Sequence, residues 1–389
     1  MGTKRVVLLR SNPVSPDPPV EKVANTLLAR GYEVTILGWD RGSDEKEMIG
    51  SLPMQNGEAK IVRFGIPAVF GGGLKKTLKP LAVFQHRLFR WLTKHRSEYD
   101  IIHAFDFDTG LAAKSIAERY GKKLVYHILD FYVASHTLPS AKLREYVKRA
   151  EFSVINQADC TIICTEKRYE QIQGSCPRQV EVIHNTPKPM DEVVESVALD
   201  GSADRCRIVY VGILSEARLL REMMEAVQQD ERLELHIGGF GVLENEIKEA
   251  AKNCARIVFY GKLPYAKTLA LEQACDVMTA IYDPKVPNHR YAAPNKFYES
   301  LMLGKPIIMA RNTGFDEIIT DNNIGCLIDF NTEGLKAGFD ELLAKKKYWP
   351  EMGQKSRALY DNFYSWSIME ERLNAVYEQM EELADITGV

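Results

Sequence analysis

Pro294-Asn295-Lys296-Phe297-Tyr298-Glu299-Ser300-Leu301-Met302-Leu303-Gly304-Lys305-Pro306 reads as a short helix with its own start and stop. Pro294 suits the first helical position, where a missing N–H costs nothing. Gly304 suits a left-handed helix end, and Pro306 cannot continue the helix. Ile307-Ile308-Met309 then reads as a buried strand. Lys296 and the first-turn amides face one way, and a helix N-terminus carrying a lysine is a ready site for a phosphate or diphosphate. Glu299, about one turn further in, can accept two hydroxyls of a ribose or sugar. A capped surface helix with a solvated Lys296 and Glu299 is the alternative, and the helix alone does not decide.

The unit repeats on both sides. Upstream, Val6 to Leu9, Val34 to Leu37, Ile101 to His103, Leu124 to Tyr126, Cys160 to Cys164 and Val180 to Ile183 read as strands separated by helical patterns. Asp17 is a plausible N-cap with Pro18 behind it, and Val20, Val23, Ala24, Leu27 and Leu28 share a helical face. A second series runs through Ile208 to Val211, Leu233 to Ile237, Ile257 to Phe259, Val277 to Ala280, Ile307 to Met309 and Cys326 to Ile328. Strands alternating with helices imply parallel sheets covered on both faces. The expected fold is α/β, with two doubly wound Rossmann-like domains. Such domains, facing each other, make a cleft at the carboxyl ends of their strands. Thr186 to Asp204 reads as the linker, giving domains 1–190 and 191–365, with 366–389 as a final helix.

A chain of 389 residues suits two domains. With 50 Lys and Arg against 53 Asp and Glu, the net charge is −3, and nothing demands a nucleic-acid partner. The N-terminus lacks the apolar run and cleavage site of a signal peptide, and no run of 18 apolar residues appears. Seven scattered cysteines then read as reduced thiols of a cytosolic protein. Cys160 and Cys164 should face one side of a strand, at a spacing unlike a zinc knuckle.

Several segments invite chemistry. Gly238-Gly239-Phe240-Gly241 resembles a dinucleotide fingerprint, but Glu244 stands where the third glycine belongs. The glycines still offer a turn where a ligand approaches the backbone. Val211-Gly212-Ile213-Leu214-Ser215 is a similar turn, and Arg218 beyond it can reach a diphosphate; Arg221 reads as solvated. Asp106 and Asp108 follow a strand and either hold a divalent ion or cap a helix at Asp108. Asp106, His127 and Asp130 lie at strand ends, where one of them can act as a general base. From Leu74 to Arg96 the chain carries Lys75, Lys76, Lys79, Arg87, Arg90, Lys94 and Arg96 with no acid, interleaved with apolar residues. This amphipathic stretch either lies on an anionic membrane surface or packs on the first domain.

Together these segments resemble the family 4 retaining glycosyltransferases of the two-Rossmann-domain (GT-B) type, in their bacterial cell-surface glycan branch. The resemblance covers nearly the whole chain. It is carried by Asp17 to Ala24, Tyr99 to Ala104, Val182 to Asn185, Tyr210 to Ser215 and Phe259 to Pro264, and above all by Pro294 to Pro306. It implies a nucleoside-diphosphate sugar, UDP-linked by preference, held by the second domain, and a glycan or lipid-linked acceptor on the first. The last helix would cross back to the first domain. Glu299 would take the ribose, and the backbone from Gly261 to Leu263 the base. Arg218 and the helix start at Asn295 and Lys296 would hold the diphosphate, with Gly212 and Phe297 also among the donor-binding residues. Arg218 would neutralise the leaving group, with His127 and Asp130 as the other catalytic candidates. No metal or further cofactor is implied, since a cation and a helix dipole supply the charge. Domain closure would exclude water.

Three departures stand out. Tyr291 occupies the place of a second glutamate eight residues before Glu299. Ile213 stands where an arginine often follows the glycine. Leu129 falls where a histidine often faces the donor sugar. A mechanism in which the departing phosphate helps deprotonate the acceptor would tolerate that last loss. A nucleotide-sugar 2-epimerase, a binding protein without turnover and a metal-dependent transferase remain as alternatives. The expected place of action is the cytoplasm, peripheral to the inner face of the cell membrane.

Overall fold

A computed structural model describes residues 4–68, 73–188, 199 and 204–387, with side chains of 73–75 and 382–387 left aside. Most of the expected linker lies outside the described residues. The chain divides into two compact units: Met1–His184 with Glu370–Val389, and Asn185–Met369. Asn185 therefore goes with the second unit, although it was read as a strand end of the first.

The first unit holds strands β1 (Arg5–Leu9), β2 (Glu33–Asp40), β3 (Met48–Met54), β4 (Gly57–Gly65), β5 (Ile101–Phe105), β6 (Lys123–Ile128), β7 (Cys160–Ile163) and β8 (Val180–Val182). They form an eight-stranded sheet in the order β3-β4-β2-β1-β5-β6-β7-β8. Only β3 runs antiparallel, paired with β4. That hairpin was not anticipated. The strands β1, β5 and β7 are buried on both faces and mostly apolar, as a doubly covered parallel sheet requires, with His103 and Thr161 as their buried polar members. The Gly73–Lys94 helix packs Phe84, Leu88, Trp91 and Leu92 into this core. Burying each such side chain stabilises by about 1.5–3 kcal/mol.

The last helix, Trp366–Thr387, contributes from Glu370 onward to the same unit. Thr26 donates to Glu370 at 2.6 Å, Lys4 pairs with Glu381 at 2.6 Å, and Tyr377 is buried at 2.8 Å from His103 Nδ1. Polar anchors every few residues thus fix its register on the first unit.

The second unit holds β9 (Cys206–Leu214), β10 (Leu233–Gly241), β11 (Ile257–Phe259), β12 (Val277–Ala280), β13 (Ile307–Ala310) and β14 (Gly325–Ile328). Their order is β11-β10-β9-β12-β13-β14, and all pairs are parallel. β9 and β10 run further than their apolar runs suggested. Gly212 and Gly239 are register partners inside the sheet. A Cβ on Gly239 would meet the Gly212 carbonyl oxygen at 1.8 Å. These glycines therefore let two strands approach; the open turn expected at Gly238 to Gly241 does not form.

Candidate functional site

The Asn295–Leu303 helix forms as read, with two corrections. Pro294 is the N-cap in extended conformation, and Asn295 is the first helical residue. Gly304 closes the helix at φ 65° and ψ 40°, donating to Leu301 O at 3.2 Å. Phe297, read as a donor-binding residue, does not present its side chain to a ligand. It is fully buried, 4.1 Å from the Phe315 ring centroid, and its amide donates to Pro294 O at 3.0 Å. Asn295 is exposed, and its Oδ1 accepts from Asn185 Nδ2 at 3.0 Å. That contact takes its side-chain oxygen away from a ligand role.

Lys296 leaves the helix toward β9. Its ammonium sits 4.9 Å from the Tyr210 ring centroid. A Cβ on Gly212, at φ +153°, would stand 2.6 Å from Lys296 Nζ. Burial pulls this lysine down, but Tyr282, Tyr210, Glu299 and Glu272 together outweigh it and hold its pKa above the ordinary value. It is charged at any physiological pH.

Arg218 belongs to the same cluster. Its guanidinium stacks 3.9 Å from the Tyr282 ring centroid, donates to Ala217 O at 2.8 Å and lies 3.4 Å from His289 Nε2. The Tyr210 phenol, pushed up chiefly by burial, feels both Lys296 and Arg218. Two cations and a glycine backbone therefore converge around one tyrosine at the carboxyl end of β9. Arg221 instead pairs with Glu216 and Glu246 on the surface, as read.

Glu299 is buried and hydrogen-bonds Tyr265. Beside it lies Glu272, which the sequence reading missed. Glu272 is buried, its Oε2 has no hydrogen-bond partner, and burial with the Glu299 charge pushes its pKa well above the carboxylate range. Gly261 adopts φ +66° with open space where a Cβ would project, and its carbonyl accepts from Gly239 at 2.7 Å. Leu263 is partly buried against the core that holds Phe297. His289 and Tyr282 were also missed. His289 Nδ1 lies 2.8 Å from Asp283 O, on the short 3-10 turn Pro287–Arg290.

In the first unit His127 is not placed as a general base. It is buried, with Nδ1 3.2 Å from His103 Nε2, and its Nε2 has no hydrogen-bond partner. Burial first, then the fields of His103, Arg10 and Lys22, hold it neutral. Asp130 is exposed and accepts from the buried Arg168 at 3.2 Å. Asp106 holds the same loop: its Oδ1 accepts from Leu129 N at 2.8 Å and Asp130 N at 3.0 Å, while Arg10 pairs with its other oxygen. Asp106, not Asp108, occupies the N-cap position of the Phe107–Tyr120 helix, without a side-chain cap bond. Its carboxylate is thus committed to protein donors. Among the described residues no cluster of three or more metal-ligating side chains occurs. Nor is any helix there long and apolar enough to cross a membrane.

Two parallel-sheet α/β domains with this connectivity are the GT-B glycosyltransferase architecture. Residues 18–186 match the family described as "Glycosyl transferase 4-like domain", and residues 205–345 match "Glycosyl transferases group 1". The chain belongs to the family 4 glycosyltransferases. No curated protein matches it significantly by sequence. Among solved structures, a sucrose-phosphate synthase from Thermosynechococcus elongatus shares 16% identity at a TM-score of 0.77, covering 98% of this chain and 100% of its own. Anabaena HepE, in complex with UDP-glucose, shares 13% at a TM-score of 0.65 over 96% and 99%. A candidate UDP-N-acetylglucosamine 2-epimerase from Listeria monocytogenes shares 16% at 0.61 over 98% and 97%. At these identities the likeness speaks to the fold.

Proposed function

We propose that this glycosyltransferase moves a hexosyl group from a UDP-sugar to a glycan or lipid-linked acceptor, with retention at the anomeric carbon, in cell-surface polysaccharide synthesis. The observation that carries the reading is the convergence of Lys296 and Arg218 on Tyr210 beside Gly212. Two cations in a partly dry site suit a diphosphate better than any neutral ligand. The UDP-glucose complex of Anabaena HepE supports the choice of donor. Glu299 then takes the ribose hydroxyls, and the Gly261 to Leu263 backbone reads the base.

In the reaction the bond from the anomeric carbon to the diphosphate oxygen breaks, and a bond to the acceptor oxygen forms on the same face. The acceptor proton passes to the departing diphosphate, whose charge Lys296 and Arg218 stabilise. No protein base is required, which agrees with a neutral, buried His127. The two cations also make a divalent ion dispensable. The enzyme works in the cytoplasm at the inner face of the membrane, with the basic Gly73–Lys94 helix against anionic lipid.

A thermal-shift panel of nucleotide sugars, followed by product analysis in chelator, tests this. A donor at 100 times its Kd raises stability by about 2.7 kcal/mol. Free nucleotide plus an altered sugar, formed without acceptor, would identify an epimerase instead. Inversion at the anomeric carbon, or loss of activity in chelator, would overturn the mechanism.

A further inference from the structure

β10 has two unlike faces. Leu235 and Ile237 pack into the apolar core on one side. On the other side Glu234 and His236 are buried, at 2% and 1% exposure. Alternate residues of a strand share a face, so Gly238 continues this row toward the carboxyl end of the sheet. Arg207, the register partner of Glu234, holds its Nε 3.9 Å from the Glu234 carboxylate, and Arg205 Nη1 stands 3.7 Å away. Glu234 Oε1 lies 2.9 Å from His236 Nε2, and His236 Nδ1 lies 2.9 Å from the Tyr260 hydroxyl. A carboxylate only accepts, so Nε2 carries the proton and Nδ1 accepts from Tyr260. Burial holds His236 below the ordinary histidine pKa against the pull of Glu234, which keeps the ring neutral and this tautomer in place.

The row ends beneath the Gly261 to Leu263 segment. The Tyr260 amide donates to Ile237 O at 2.9 Å, and Gly261 O accepts from Gly239 N at 2.7 Å. A Cβ on Gly238 would stand 3.2 Å from Leu263 Cδ1, so the leucine is seated over the bare strand next to His236. Two backbone hydrogen bonds, one packed side chain and the Tyr260 hydroxyl therefore tie residues 260, 261 and 263 to β10. A buried ionic pair adds little net stability, because desolvation offsets its attraction. Packing alone would be served by apolar residues, as Leu235 and Ile237 serve the other face. What the polar row adds is direction. Apolar contact is non-directional, whereas a hydrogen bond to the hydroxyl fixes where the Tyr260 ring points and so how the chain leaves β11.

We propose that His236, oriented by Glu234, is a positioning residue for donor choice: through the Tyr260 hydroxyl it sets the Gly261 to Leu263 backbone at the depth that fits a pyrimidine. The inference rests on the reading that this backbone meets the donor base. A purine is larger than uracil, so a segment released from β10 admits adenine at the expense of the fit to uracil.

Calorimetry of UDP, ADP and inorganic diphosphate on the full chain tests it. The wild type is expected to prefer UDP to ADP tenfold or more. His236→Leu and Tyr260→Phe each cut that preference fivefold or more and change diphosphate affinity less than twofold. His236→Gln, whose amide can donate to Glu234 and accept from Tyr260, keeps the preference within twofold of wild type. Combining His236→Leu with Tyr260→Phe costs no more preference than either alone, because both remove one bond. UDP, ADP and diphosphate weakened together in the single variants would mark a purely structural role and overturn the inference. So would a preference for UDP retained in both His236→Leu and Tyr260→Phe. A wild type that does not prefer UDP to ADP would overturn the base reading itself, and this inference with it.

Discussion

Replacing Gly212 by alanine perturbs the donor cluster through a single added carbon. That Cβ would stand 2.6 Å from Lys296 Nζ and 3.4 Å from its Cε, so the ammonium must swing away from the Gly212 backbone. A charge-assisted hydrogen bond is worth roughly 1.5–3 kcal/mol. If Lys296 holds a diphosphate from this position, UDP affinity falls roughly 10- to 150-fold at about 1.4 kcal/mol per decade. The backbone at φ +153° adds strain of about 1–3 kcal/mol, which appears in stability rather than affinity. Titration calorimetry of UDP on the wild type, Gly212→Ala, Lys296→Met and the double variant separates these effects. The double variant is expected to bind UDP like Lys296→Met alone, because the alanine then has no ammonium to displace. Gly121→Ala is the control for strain: its φ is +62° but its Cβ meets nothing within 4 Å. UDP affinity within twofold of wild type in Gly212→Ala would refute the reasoning. Fully additive losses in the double variant would show that the glycine acts without Lys296.

Three other expectations concern separate sites. Glu299→Ala should weaken UDP-sugar binding at least tenfold, while Glu272→Gln, an isosteric change at a carboxyl whose charged form burial disfavours, should change it less than threefold; comparable losses would move the ribose contact to Glu272. Burial pushes Glu151 up to about 8, against hydrogen bonds from Tyr126 OH and Tyr132 N that oppose the shift. Its folded pKa exceeds its unfolded one, so its stabilisation is complete below pH 4.5 and lost as pH rises through 8, by up to about 5 kcal/mol at 1.36 kcal/mol per unit. Glu151→Gln should flatten the fall in urea midpoint between pH 5 and 9, and an unchanged slope would sink the assignment. Lys76→Glu with Lys79→Glu should reduce sedimentation with anionic vesicles most strongly at low salt, and indifference to the substitutions would leave the helix as packing alone.

The parallel sheets were readable because their strands are short apolar runs bounded by turn residues. The β3–β4 hairpin was not, since Met48–Met54 is a largely exposed edge with Gly50 and Pro53 inside it. Its one local signal is Asn56-Gly57 at the turn. Phe297 was misplaced although its helix already showed the answer. Phe297, Tyr298 and Leu301 share the core-facing side, while Lys296 and Glu299, three apart, share the other. Glu272, Tyr282, His289 and Arg168 carried no such signal. Each matters through a partner that tertiary structure supplies, and nothing in its own neighbourhood marks it.

Backbone strain sits beside both charged clusters. Asp106 has φ 59° and Leu219 has φ 53°, values that cost a non-glycine residue about 1–3 kcal/mol. Such residues persist only where their surroundings over-determine them. Asp106 is held by Arg10 and by the amides of Leu129 and Asp130, so its strained turn fixes the loop that presents Asp130. Leu219 is held differently: its side chain is buried, and its carbonyl accepts from Met223 N at 2.9 Å to start the Leu220–Gln229 helix. The left-handed residue turns the chain between Arg218, stacked over Tyr282, and a helix anchored in the core. A relaxed backbone at 219 would have to send either the arginine or the leucine elsewhere. The core's hold on Leu219 is therefore what keeps a cation positioned beside Lys296 before any ligand arrives.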